Sequence, residues 1–216
     1  MKKKIACLHA HYSNIDYIET AFSEYDLELS HYVDPGLIIR LKNEQVSEAK
    51  RQVKHQIDWI AQSGVDAILI TCTNYIALLN NHEVNIPIIK IDEPYFEALC
   101  KNPETQTILF TNPDTVKGTL SRLEQYANQK PLDIEVKIIE NTFDLIMSGK
   151  TEEYQNAVYQ YIKQLSSNRS LSVAQLSMVA AAQQVERETS KTIINPLKSL
   201  VSSMANQLNL QKIAEP

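Results

Sequence analysis

Glycine is scarce in this chain: four residues in 216, none of them in a G-x-G-x-x-G or G-x-x-x-x-G-K-[ST] pattern. Without such a loop the backbone has no cradle for phosphates at a helix N-terminus, so dinucleotide and P-loop nucleotide binding lack support. H-E-x-x-H and C-x-x-C are also missing, which leaves zinc little basis and no cofactor implied. No apolar run approaches the roughly 18 residues of a membrane helix; the longest, at 65–70, contains Asp66 and is strand-sized. Positive charge is in deficit, with 21 Lys+Arg against 26 Asp+Glu and a net charge of -5. The only basic cluster is Lys2-Lys3-Lys4, so binding to nucleic acid by counterion release has no footing. Three cysteines, an odd number, make no disulfide framework and fit a reducing compartment. Residues 5–8 are too short for the apolar part of a signal peptide, so the expectation is a cytoplasmic protein that starts at Met1. The sequon Asn168-Arg169-Ser170 then reads as a chance match.

What is present is a core's worth of apolar residues, 44% of the chain, arranged with alternating periods. At this length folding buries about 70% of the extended chain's surface, enough for one large core or two small lobes. Residues 4–9 predict a strand, and Ser13-x-x-Asp16 resembles a capping box before a helix with Ile15, Ile18 and Phe22 on one face. Further strands fall at 26–33, 65–71 and 86–91. Between them run a long helix with Val46, Ala49, Val53, Ile57 and Ile60, stopped by Gly64, and a helix over 75–79. The pattern loosens around 92–104 and restarts, with strands at 107–111, 133–140, 171–174 and 192–194. Asn112-Pro113 and Asn195-Pro196 both read as caps with proline in the first turn. Such alternation gives parallel sheets with right-handed crossovers. A closed barrel of eight units takes about 250 residues. The restart near Thr105 favours an α/β fold of two similar lobes, each an open, mostly parallel sheet flanked by helices.

In open parallel sheets ligands bind beyond the carboxyl ends of the strands. The sharpest feature there is Thr71-Cys72-Thr73-Asn74. A cysteine on a strand-to-helix turn lies beside unpaired N–H groups and the positive end of a helix dipole, which favour thiolate. Thr73 and Asn74 supply donors for a carboxylate. The alternative is a small buried hydrophobe, as Cys7 in the first strand and Cys100 beside Phe96 and Leu99 are expected to be. His9 and His11 end the first strand, pointing the same way if the strand continues, with Ser13 and Asn14 in the same loop. They read as groups that orient an anion or share a proton, as solvated loop residues, or as the start of a metal-dependent hydrolase site. Asp92 reads as a helix cap or as a carboxylate facing the site. The second half offers Thr111, Asn112, Gln175 and Ser177 at its strand ends.

Taken together, "VDAILITCTNY" at 65–75, "IPIIKIDEP" at 86–94, the restart at 107–113 and "LSVAQLSMVAAA" at 171–182 resemble the aspartate/glutamate racemase superfamily over nearly the whole chain. The resemblance implies two similar α/β lobes with the active site between them. Its C-terminal helix returns to the first lobe, giving lobes at 1–95 plus 195–216 and at 96–194. In such racemases each lobe presents a cysteine on one face of a small carboxylate substrate; one thiolate removes the α-proton and the other thiol returns it. Cys72 matches the first. The second falls within 173–178, where Gln175 stands instead and Ser177 has no evident activating partner. The implied function is therefore a cofactor-independent racemase-like isomerase or related lyase using one thiol on an amino or dicarboxylic acid, with a degenerate binding protein of the same fold as alternative. Many members are homodimers. The candidate substrate-binding residues are His9, His11, Ser13, Asn14, Thr71, Thr73, Asn74, Thr111, Asn112, Gln175 and Ser177, around Cys72.

Overall fold

Ile5, Ala6, Cys7, Leu8 and His9 are all fully buried, which requires a sheet covered on both faces. They belong to β1 (Lys3–His9), which lies between β2 (Leu27–Val33) and β3 (Ala67–Ile70), with β4 (Ile88–Lys90) beyond β3. All pairings in this sheet are parallel. A second sheet repeats the order: β5 (Gln106–Phe110) lies between β6 (Ile134–Ile138) and β7 (Ser170–Val173), and β8 (Ile193–Ile194) pairs with β7, again all parallel. The computed structural model describes residues 2–79, 82–102, 104–128, 130–165 and 169–213, with Asn168 of the sequon outside them. The chain forms two compact units, residues 1–92 with 200–216, and residues 93–199.

The helices are α1 (Asn14–Phe22), α2 (Gly36–Lys42), α3 (Val46–Ala61), α4 (Thr73–Leu79), α5 (Asp92–Lys101), α6 (Val116–Tyr126), α7 (Phe143–Met147), α8 (Thr151–Gln164), α9 (Val179–Glu188) and α10 (Pro196–Gln207). On α3 the buried residues are Ala49, Val53, Ile57 and Ile60, the stripe that a 3.6-residue period lays on one face. In the second unit β5 alternates between two cores. Leu109 packs with Tyr154, Val158 and Ile162 of α8 and with Ala181 and Val185 of α9. Ile108 and Phe110 pack with Tyr95, Phe96 and Leu99 of α5 and Leu123 of α6.

Register ties the strand ends together. Leu8 stands opposite Ile70 and Leu109 opposite Val173. One residue on, Thr71 N–H donates to Leu8 O at 3.1 Å, and Ala174 N–H to Leu109 O at 3.0 Å. Cys72 and Gln175 are each the second residue past their strand, so they hold equivalent places in the two sheets.

The sequence reading departs from the structure at short elements. The helices α2 and α7, of 7 and 5 residues, are additions to the expected pattern. Ser13 makes no side-chain cap on α1, because its hydroxyl meets His11. The strand β1 stops at His9, so the alternation that would aim His11 alongside His9 ends before it arrives. Asn112 caps a 3₁₀ turn at Pro113–Thr115 ahead of α6, accepting from Asp114 N–H at 3.0 Å. Asn195 likewise accepts from Lys198 N–H at 2.9 Å at the start of α10. Replacing Asn195 by Ala leaves that donor bare, and the expected loss is about 1 kcal/mol. Urea unfolding should show a lower midpoint at unchanged slope.

Candidate active site

The ends of β1 and β3 carry a connected polar cluster. His9, fully buried, has Nδ1 2.8 Å from Thr71 Oγ1 and Nε2 2.9 Å from His31 Nδ1. Asn14 Nδ2 donates to the same threonine oxygen at 3.3 Å, and His31 Nε2 lies 2.9 Å from Glu19 Oε1. Burial, with His31 opposite, pulls the His9 pKa down to about 4, so the ring is neutral at neutral pH. His11 turns away into its own loop. Its Nδ1 accepts from Ser13 N–H at 3.2 Å and lies 2.8 Å from Ser13 Oγ, which leaves the neutral ring's hydrogen on Nε2 as a donor. The structure thus joins His9, Asn14 and Thr71, pairs His11 with Ser13, and does not bring His9 and His11 together as a metal-binding pair.

A different trio, Cys7, His9 and His31, has its ligand atoms within 4.8 Å of one another. Its geometry is that of a hydrogen bond. The two rings are nearly coplanar, 22° apart with centroids at 5.1 Å, and the N···N distance plus the depth of each ring accounts for that separation. The N–H of one ring therefore points at the lone pair of the other, and the two nitrogens do not converge on a third point. Cys7 is also a poor thiolate, its pKa pushed up to about 12 by burial and by Glu19.

Cys72 follows Thr71 and is half-buried, on the turn into α4. Asn74 and Tyr75 direct backbone N–H groups to its sulfur, as the helix-start position suggests, but burial outweighs them and raises the thiol pKa. The resting side chain is a thiol, contrary to the thiolate expected from the helix dipole, because desolvation penalises the charge more than two donors repay. Tyr75, buried beside it, donates its hydroxyl to Asp34 Oδ2 at 2.7 Å, anchoring the start of α4 to the end of β2. Thr73 is half-buried and Asn74 exposed at the same helix start. Asp92 is buried in the first turn of α5.

In the second unit Gln175 occupies the place equivalent to that of Cys72. Its Oε1 accepts from Thr111 N–H at 2.7 Å, Asn112 N–H at 3.1 Å and Thr111 Oγ1 at 2.9 Å. Those bonds fix the direction of the next ones. With its hydrogen on Gln175, Thr111 Oγ1 accepts from Tyr154 OH at 3.1 Å, and Tyr154 in turn accepts from Ser177 Oγ at 2.7 Å. Ser177 gives its proton to a phenol, which is no base, so it is not an activated nucleophile. Sequence reasoning missed Glu19, His31, Tyr75 and Tyr154, which look like ordinary strand and helix residues until register brings them to the strand ends.

No family model and no curated protein sequence matches the chain. Solved structures do. An aspartate racemase from Picrophilus torridus superposes with a TM-score of 0.73 at 13% identity, covering 98% of this chain and 96% of that one. The fold is that of the aspartate/glutamate racemases. An allantoin racemase from Klebsiella pneumoniae gives 0.65 at 18% identity, over 96% and 88% of the two chains. A glutamate racemase from Campylobacter jejuni subsp. jejuni gives 0.62 at 13%, over 98% and 88%.

Two measurements check the racemase-fold strand ends. Because His9 is held neutral when folded and titrates near 6.5 when unfolded, the unfolded chain binds the extra proton and stability falls as pH drops from about 6.5 to about 4. A His9→Asn variant should show a smaller fall over that window in urea titrations. Gln175→Ala strips Thr111 and Asn112 N–H of their acceptor, and the expected loss is about 1–3 kcal/mol by the same method.

Proposed function

We propose that this chain is a cofactor-independent isomerase of the racemase kind, acting on a small carboxylate, an amino or dicarboxylic acid, through Cys72. The observation that carries the reading is the placement of that thiol: half-buried on the strand-to-helix turn, with two backbone N–H groups on sulfur. Donors of this kind stabilise negative charge where it develops, so they support a thiolate formed during reaction even though the resting group is protonated. Next to it in the chain stand donors for a carboxylate, Thr73 and Asn74, with Asn14 and Thr71 in the adjoining cluster. Gln175 has spent its oxygen on Thr111 and Asn112, which leaves its amide N–H groups as donors and no proton to exchange. The chemistry supported is therefore one-thiol chemistry: Cys72 takes an α-proton, or adds covalently to an unsaturated acid, and the second proton comes from another source.

One observation favours a second reading, a protein that binds such acids without turning them over. The donors at the end of β5 are occupied by Gln175, and an uncharged amide has replaced the acid that a two-base racemase needs. The two readings separate in D₂O. With a panel of amino and dicarboxylic acids, the isomerase is expected to exchange the α-hydrogen of at least one for deuterium, followed by proton NMR. Cys72→Ser should slow this by at least about 10²-fold. A rise in Tm with a dicarboxylate and no exchange would establish the binding protein instead.

A further inference from the structure

Glu19, His31, His9 and Thr71 lie on one line of hydrogen bonds, at 2.9, 2.9 and 2.8 Å, running from an exposed carboxylate on α1 across β2 and β1 to the end of β3. With His31 as the neutral imidazole, the protons on that line have one arrangement. A carboxylate only accepts, so His31 presents Nε2–H to Glu19 and, as a neutral imidazole, accepts at Nδ1. His9 then donates Nε2–H to His31 and accepts at Nδ1, 2.8 Å from Thr71 Oγ1, whose hydroxyl hydrogen has Leu8 O, at 3.3 Å, as its other acceptor. The oxygen of Thr71 keeps its lone pairs for Asn14 and for the strand-end site. The groups facing the two rings are Glu19 from α1, Thr71 from β3 and Cys7 from β1, the last a neutral thiol. His9 is fully buried, the His31 side chain is 14% exposed and that of Glu19 55%, so the line passes from the interior to solvent.

We propose that Glu19, His31, His9 and Thr71 form a proton relay that links the strand-end site beside Cys72 to solvent. The proposal rests on the isomerase reading above and names its second proton source. A proton arriving on Thr71 Oγ1 forms a new O–H bond while the old hydroxyl hydrogen passes to His9 Nδ1. His9 passes its Nε2 hydrogen to His31 Nδ1, and His31 passes its own Nε2 hydrogen to Glu19, which releases it to water. One proton enters, one leaves, and each ring breaks one N–H bond as it forms another. Reprotonation of the site runs the same steps in reverse. The need for such a route follows from two observations. Cys72 is a thiol at rest and has to lose a proton to act, and Gln175 in the equivalent place moves none. Glu19, His31 and His9 act through Thr71 and are relay residues, not groups that touch a substrate.

The arrangement itself is tested without a substrate, by ¹⁵N NMR of the imidazoles in the full chain. At pH 7.5 both rings are expected as Nε2–H tautomers. Either ring as the Nδ1–H tautomer overturns the relay. So does uptake of one Zn²⁺ per chain on Cys7, His9 and His31, measured by metal analysis after incubation with Zn²⁺. The role is tested by deuterium exchange into the acid that the unaltered chain exchanges. Glu19→Gln keeps a hydrogen-bond acceptor for His31 but removes the group that takes the proton; it should slow exchange by about 10²-fold and alter its pH profile, with KM and the alkylation rate of Cys72 unchanged. Exchange lost in Cys72→Ser but untouched in Glu19→Gln and His31→Asn overturns the relay and leaves the isomerase standing. Exchange untouched in Cys72→Ser overturns the isomerase reading, and the tautomers then decide the relay by themselves.

Discussion

The parallel pairing of β1 with β3, and of β5 with β7, is the constraint on which the chemistry of this chain depends. Parallel neighbours end on the same edge, so residues far apart in sequence finish side by side. His9 meets Thr71 across 62 positions, and Thr111 meets Gln175 across 64. The register Leu8 opposite Ile70, and Leu109 opposite Val173, decides which side chains do so. A slip of one residue would turn His9 to the other face of its sheet and dissolve the cluster.

One frame used twice has produced opposite electrostatic outcomes. In both units the residue two positions past the strand is met by backbone N–H groups. In the first these point at the sulfur of Cys72, which gains stabilisation only as it ionises. In the second they are satisfied at once by the carboxamide oxygen of Gln175, which needs no charge to accept them. The donors differ in origin: those on Cys72 belong to the start of its own helix, those on Gln175 to the end of the neighbouring strand.

Much of the architecture was legible because it rests on period. The stripe on α3 and the buried run of β3 follow from spacing and composition alone, and so does the restart that announces the second sheet. The helices α2 and α7, of 7 and 5 residues, did not stand out in the spacing. Ser13 shows another limit: a sequence pattern lists the acceptors a hydroxyl has, and here His11 competed with the helix end and won. Cys72 could be found from its strand-turn-helix setting. Its protonation could not, because the balance between desolvation and two N–H groups depends on what covers the sulfur. His31 reads as a plain strand residue and Glu19 as a solvated helix residue. They become a line only when β2 lies on β1 with His31 opposite Cys7.

The amino-acid sequence by itself determined the alternation of strand and helix, the twofold repeat of parallel sheets, and the candidates at the strand ends, because these depend on local periodicity and on residues within a few positions of each other. Tertiary structure alone decided which candidates touch, which nitrogen of each histidine carries its hydrogen, and whether Cys72 is charged. Those are properties of distance and burial, which only the fold sets: His9 meets His31 across 22 positions and Thr71 across 62.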